Sequence, residues 1–136
     1  MELQREAFVL VIDDEREQYE LTKAMLRLDG YPVVTADNAT DGLRLSELYH
    51  PFIIISDFSM PDMDGAELLE RLRQGSAAHT PVIILSAYAP DYVQRKMHPG
   101  FLPEIILPKP VDFDLLLNTV NLHYQFYAQE NTYCAA

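Results

Sequence analysis

Four short apolar runs, residues 8–12, 32–35, 52–56 and 82–85, recur along the chain, and each ends at or just before polar residues. A fifth, weaker run covers 104–107. The runs are rich in Val and Ile and do not alternate with polar residues, the pattern of strands covered on both faces of a parallel sheet. At four or five residues each, they are too short for an all-apolar helix.

Segments with helical spacing lie between them. Leu21, Ala24, Met25 and Leu28 follow i, i+3, i+4, i+7, with Gly30 placed to cap the C-terminus. Asn38 is placed to cap the next helix, whose inward stripe is Gly42, Leu43, Ser46 and Tyr49, stopped by Pro51. Asp64 with Glu67 resembles a capping box ahead of Leu68, Leu69 and Leu72. Pro90, Pro99, Gly100 and Pro103 leave room for only a short helix over about 91–97. Asp112 caps the last helix, with Phe113, Leu116, Leu117, Val120 and Tyr124 on its core face. A second stripe, Leu115, Leu122 and Phe126, lies off that face and is a candidate surface for a homodimer or another partner. Strand–helix repetition of this kind predicts one α/β domain, a doubly wound five-stranded parallel sheet with helices on both faces. The domain is expected over residues 1–127, with 128–136 as a C-terminal tail or the start of a linker.

Composition narrows the function classes. In 136 residues, 21 Asp and Glu outweigh 10 Lys and Arg, for a net charge of −11. Such a surface repels nucleic-acid phosphates and anionic membranes, so neither is expected as the main partner. The single cysteine, Cys134, rules out an internal disulfide, and no signal peptide or membrane span is evident. A cytoplasmic protein is expected.

The chemistry is expected where the strands end, because side chains at the carboxyl edge of such a sheet converge on a ligand-binding crevice. Asp13 and Asp14 end the first strand and Asp57 the third; Ser86 ends the fourth and Lys109 follows the fifth. Two carboxylates about 4 Å apart repel by roughly 4 kcal/mol at an effective dielectric near 20. Three in one crevice need a cation or a shared proton, and Lys109 supplies only one positive charge. Oxygen-only ligands favour Mg²⁺, or Mn²⁺, over zinc; His50, His79, His98 and His123 show no metal-ligand spacing. A carboxylate beside such a metal and a lysine is equipped to attack phosphorus and form an acyl phosphate, with the Ser86 hydroxyl as a hydrogen-bond donor.

In these residues the chain resembles a response-regulator receiver domain of two-component signalling. The matching pieces are FVLVIDDE at 8–15, IIISDFSMPDMDG at 53–65, PVIILSA at 81–87 and LPKP at 107–110. The resemblance implies the flavodoxin-like strand order 2-1-3-4-5. It implies Asp57 as the phosphoacceptor, with Asp14, Asp57 and the backbone carbonyl of Ser59 binding Mg²⁺ and Asp13 acting through water. Ser86 would contact the phosphoryl group and Lys109 would pair with it. Pro110 would follow a cis peptide bond, and Pro61 and Gly65 would shape the loop after the acceptor. The donor would be a histidine kinase or histidine phosphotransfer protein, the readout a conformational change passed to an output partner or domain, and the chemistry confined to the protein itself rather than enzymatic turnover.

Two positions stand out within the resemblance. Receivers usually carry Phe or Tyr three residues before the lysine, whereas this chain has Ile106, so no aromatic ring can switch there and an atypical response is expected over 102–106. Tyr88, two residues past Ser86, stands where the family tunes access of water to the acyl phosphate. Three other readings compete. A degenerate receiver acting through protein contacts alone would not need the complete acid, serine and lysine set. An aspartyl-phosphate phosphatase of the haloacid-dehalogenase kind would carry a second acid two residues after the nucleophile, where Ser59 stands. A nucleotide-binding module would want a glycine-rich loop after the first strand, and residues 12–18 contain no glycine.

Overall fold

The computed structural model of the chain describes residues 7–135, with side chains through 130. Ten elements alternate: β1 (Val9–Ile12), α1 (Arg16–Leu28), β2 (Val33–Ala36), α2 (Ala39–Tyr49), β3 (Ile53–Asp57), α3 (Gly65–Gln74), β4 (Val82–Ser86), α4 (Pro90–Lys96), β5 (Ile105–Pro108) and α5 (Phe113–Ala135). The strands form one parallel sheet in the order β2-β1-β3-β4-β5. The expected fold class and strand order are therefore those observed. Each strand begins or ends a residue later than its apolar run suggests; in β3 and β4 this is because polar Asp57 and Ser86 still pair in the ladder.

Residues alternate between the two faces of the sheet. Leu10, Ile12, Ile54, Val82 and Ile84 pack with Leu68, Leu69 and Leu72 of α3 and Val93 of α4. Val9, Val11, Ile53, Ile55, Ile83 and Leu85 pack with Leu26 of α1 and with Leu116 and Val120 of α5. Both faces are covered, so every residue of β1, β3 and β4 is buried and a continuous apolar run carries no cost. Gly42 permits the closest approach: a Cβ there would stand 2.4 Å from Cδ1 of Ile12, so α2 can lie on β1 only without a side chain at this point.

Three helix ends follow the capping expectations. Asn38 accepts from the Asp41 amide at 2.7 Å, Asp64 from Glu67 at 2.9 Å and Asp112 from Leu115 at 3.2 Å. The capping box is half formed, since the Glu67 carboxylate pairs with Arg71 at 2.9 Å. Gly30 has the positive φ of 95° expected after the end of α1.

Two helix faces differ from expectation. In α1 the buried residues are Thr22 and Leu26, flanked by the partly buried Tyr19, whereas Leu21, Ala24 and Leu28 face solvent, Leu28 at 83 % exposure. The inward stripe includes a threonine, so counting apolar residues selects the neighbouring face, about 100° away. In α2, Tyr49 is likewise exposed, while Ala39, Gly42 and Ser46 meet the sheet. Residues 128–135, expected as a tail or linker start, continue α5 as helix. Among the described residues, no helix is long and apolar enough to cross a membrane.

Candidate functional site

The ladder sets the site. Ile12 pairs with Ser56, Asp57 with Leu85 and Ser86 with Pro108, so the carboxyl ends of four strands finish at nearly one level. Three amides just past the strands extend it: Asp13 donates to the Ala36 carbonyl at 3.0 Å, Phe58 to Leu85 at 2.8 Å and Lys109 to Ser86 at 2.8 Å. Residues far apart in sequence are thus carried to one edge by backbone bonds, before any side-chain attraction is considered. The loop after β3 turns back on itself: the Gly65 amide donates to the Phe58 carbonyl at 2.6 Å, and a Cβ on Gly65 would lie 3.0 Å from Phe58 Cα. The Lys109–Pro110 peptide bond is cis, as the resemblance implies.

Asp13, Asp14 and Asp57 each offer a carboxylate oxygen within 4.8 Å of the others'. Asp13 and Asp57 are buried, at 2 % and 5 % exposure, while Asp14 opens to solvent. Lys109 Nζ stands 3.1 Å from Asp57 Oδ1 and 3.9 Å from Glu15 Oε1. Burial, which penalises the charged form, raises the Asp13 carboxyl from 3.8 to about 6; the Asp57 and Asp14 charges add to this, and the Glu15 amide and Lys109 oppose it. Burial also raises Asp57, against the Lys109 ammonium and a hydrogen bond from the Ser59 amide. The cluster is therefore an electrostatic deficit, held together by the fold. Its donors are hard carboxylate oxygens with no thiolate or imidazole in the group, a set that fits Mg²⁺ in number and chemistry.

The remaining expected residues take distinct positions. Ser86 is buried at the end of β4, and its Oγ accepts from the Tyr88 amide at 2.9 Å. Ser59 is exposed beside Asp57 and contributes its amide to that carboxylate. Tyr88 stacks on Tyr92 at 5.0 Å between centroids and meets Phe58 edge-on at 6.3 Å. Ile106 is partly buried against the core that contains Val93 and Met97.

Two residues near the site escaped the sequence reading. Glu15 was visible only as a third acid in the run after β1. Asp62 gave no local signal, because its partners lie more than twenty residues earlier. Its carboxylate accepts from the Ala39 amide at 3.1 Å, the Thr40 amide at 2.8 Å and the Thr40 hydroxyl at 2.7 Å, clamping the start of α2 to the loop after Asp57. These hydrogen bonds outweigh slight desolvation and lower its carboxyl to about 2.

With this arrangement in view, the comparisons are decisive. Residues 9–121 match the family model described as the response regulator receiver domain. The chain belongs to this family. Receiver domains are signalling modules of two-component systems that interact with histidine kinases and output domains, and they typically bind Mg²⁺ at an acidic pocket. Among relatives, an uncharacterized 14.6 kDa protein of Leptolyngbya boryana is 40% identical over 106 residues, 76% of this chain and 79% of that protein. The transcriptional regulatory protein GlrR of Escherichia coli is 34% identical over 117 residues, 85% of this chain but only 26% of the relative's length. Among solved structures, a CheY-like receiver domain protein from Methanospirillum hungatei superposes with a TM-score of 0.82 at 26% identity, covering 92% of this chain and 98% of that one. The chemotaxis protein CheY4 of Vibrio cholerae gives 0.77 at 27% identity, over 85% and 97%.

Proposed function

We propose that this receiver domain accepts a phosphoryl group on Asp57 from a histidine kinase or histidine phosphotransfer protein and signals by conformational change to an output partner or domain in the cytoplasm. The observation that carries the reading is the contact of Lys109 with Asp57 at 3.1 Å, beside two further carboxylates whose oxygens lie within 4.8 Å. In the transfer, an Asp57 oxygen attacks phosphorus, the P–N bond to the donor imidazole breaks, and the imidazole leaves with the electron pair. Lys109 neutralises the arriving phosphoryl oxygens, and the buried walls keep bulk water from the acceptor. Asp14 and Asp57, with the Ser59 carbonyl and with Asp13 through water, would hold Mg²⁺, which supplies charge neutralisation when bound. The Ser86 hydroxyl would turn from the Tyr88 amide towards a phosphoryl oxygen.

With Ile106 in place of an aromatic ring, no ring rotation is available and the response over 102–106 is atypical or muted. Self-association through α5 belongs to the same proposal, supported by the exposed Leu115, Leu122 and Phe126. Light scattering over a dilution series should show a mass that rises with concentration; a constant monomer mass would remove this part. The acceptor is tested by incubation with acetyl phosphate and Mg²⁺ followed by intact mass. Wild type should gain one phosphoryl group and Asp57→Asn none. A wild type without a metal-dependent adduct would favour the degenerate reading, and an equal adduct on the variant would place the acceptor elsewhere.

A further inference from the structure

Glu15 is a carboxylate without a local structural task. It stands at the N-cap of α1, yet its side chain makes no capping hydrogen bond and is 65% exposed. Its amide is bonded to Asp13 Oδ1 at 2.9 Å, which fixes the backbone against the buried acid. From there the carboxylate reaches to 3.9 Å from Lys109 Nζ, the cation whose other partner is Asp57. Glu15 is not one of the three residues whose oxygens gather within 4.8 Å, so it is not needed to collect a divalent ion. It does add negative charge beside the one ammonium that the phosphoryl group would use. A divalent cation together with Lys109 would still leave four carboxylates, Asp13, Asp14, Glu15 and Asp57, in excess of the positive charge. Asp62 and Asp64, the acids of the loop after β3, are committed to the starts of α2 and α3.

We propose that Glu15 is a specificity-determining residue: its carboxylate beside Lys109 disfavours free, small anionic phosphoryl donors in proportion to their charge and so insulates Asp57 from them. The inference rests on Asp57 being the phosphoacceptor. With acetyl phosphate, an Asp57 oxygen attacks phosphorus, the P–O bond to the acetyl group breaks, and acetate leaves with the electron pair. With phosphoramidate the P–N bond breaks, and ammonia leaves carrying a proton. Both donors must bring their negative charge past Glu15 and share Lys109 with it. An exposed carboxylate acts through water, so its effect is modest and salt can screen it.

The experiment follows the rate of adduct formation by intact mass at saturating Mg²⁺, for wild type, Glu15→Gln, Glu15→Asp and Asp57→Asn. At low ionic strength Glu15→Gln should react about five-fold faster with the dianion acetyl phosphate and about two-fold faster with the monoanion phosphoramidate. In roughly 0.5 M NaCl both advantages should shrink towards one, and Glu15→Asp, which keeps the charge, should stay near wild type. Equal rates for wild type and Glu15→Gln at low salt overturn the inference and leave the acceptor untouched. An advantage that persists in high salt, or is the same for both donors, also overturns it, because packing rather than charge would then be responsible. If wild type forms no adduct with either donor, or Asp57→Asn reacts equally, the acceptor assignment falls and this inference with it.

Discussion

The two ends of the same sheet are built on opposite principles. At the carboxyl end, Asp13 and Asp57 are buried beside Asp14 with one ammonium among them. At the amino end, Phe52 is buried among Tyr31, Tyr124 and Tyr127 at centroid distances of 5.4–5.7 Å. Tyr31 there donates to Asn121, whose amide in turn donates to Asp29 at 3.2 Å. One end is apolar, satisfied and ring-packed; the other carries uncompensated charge. The difference teaches where the fold obtains its stability and where it uses it: the amino end holds the strands while the carboxyl end keeps like charges together.

The largest expected effect tests the stabilising end. Phe52→Ala should cost about 3–5 kcal/mol in urea unfolding, yet leave the yield of Asp57 adduct unchanged under native conditions. A lost adduct in a variant that is still folded would break the separation of the two ends.

Next comes the strained end. Asp13 has its folded-state pKa raised to about 6. Its contribution is fully favourable below the ordinary value of 3.8 and is lost as pH rises through about 6, because the folded state holds the proton longer. Asp13→Asn should therefore stabilise the metal-free protein by about 1–3 kcal/mol at pH 7.5, with the gain fading as pH falls from 6 towards 4. The same variant should weaken Mg²⁺ binding about tenfold, read by the rise in melting temperature on metal addition. Destabilisation by Asp13→Asn at pH 7.5 would contradict the strain.

The smallest effect sharpens the boundary between the ends, since Asp62 lies at the carboxyl edge but is fully satisfied. Asp62→Ala should cost about 1 kcal/mol near neutral pH, as loss of a helix cap does. With a folded-state pKa lowered to about 2, this stability is present above the ordinary carboxyl range and lost as pH falls through 2. Urea melts of the two proteins should therefore converge in strong acid. A variant as stable as wild type at pH 7 would make the clamp on α2 incidental.

What the sequence revealed follows the same division. The carboxyl end was legible because polar residues close apolar strands there; Asp13, Asp14, Asp57, Ser86 and Lys109 interrupt patterns that are otherwise uniform. The sheet was legible because both of its faces are covered, so its strands read as plain apolar runs. Helix faces were less so. Thr22 is buried while Leu21 and Leu28 are not, since a surface leucine costs little and a methyl-bearing threonine packs well. Contacts between distant side chains, Glu15 with Lys109 and Asp62 with Thr40, depend on loop geometry and left no periodic trace.

α5 connects the two ends. It starts at Phe113, four residues beyond Lys109, and its Tyr124 and Tyr127 rest against Phe52. Leu116 and Val120 are seated on the sheet as well, so the helix is held along about 16 Å of its length. A displacement at its first turn is therefore resisted by the sheet before it reaches Ala135.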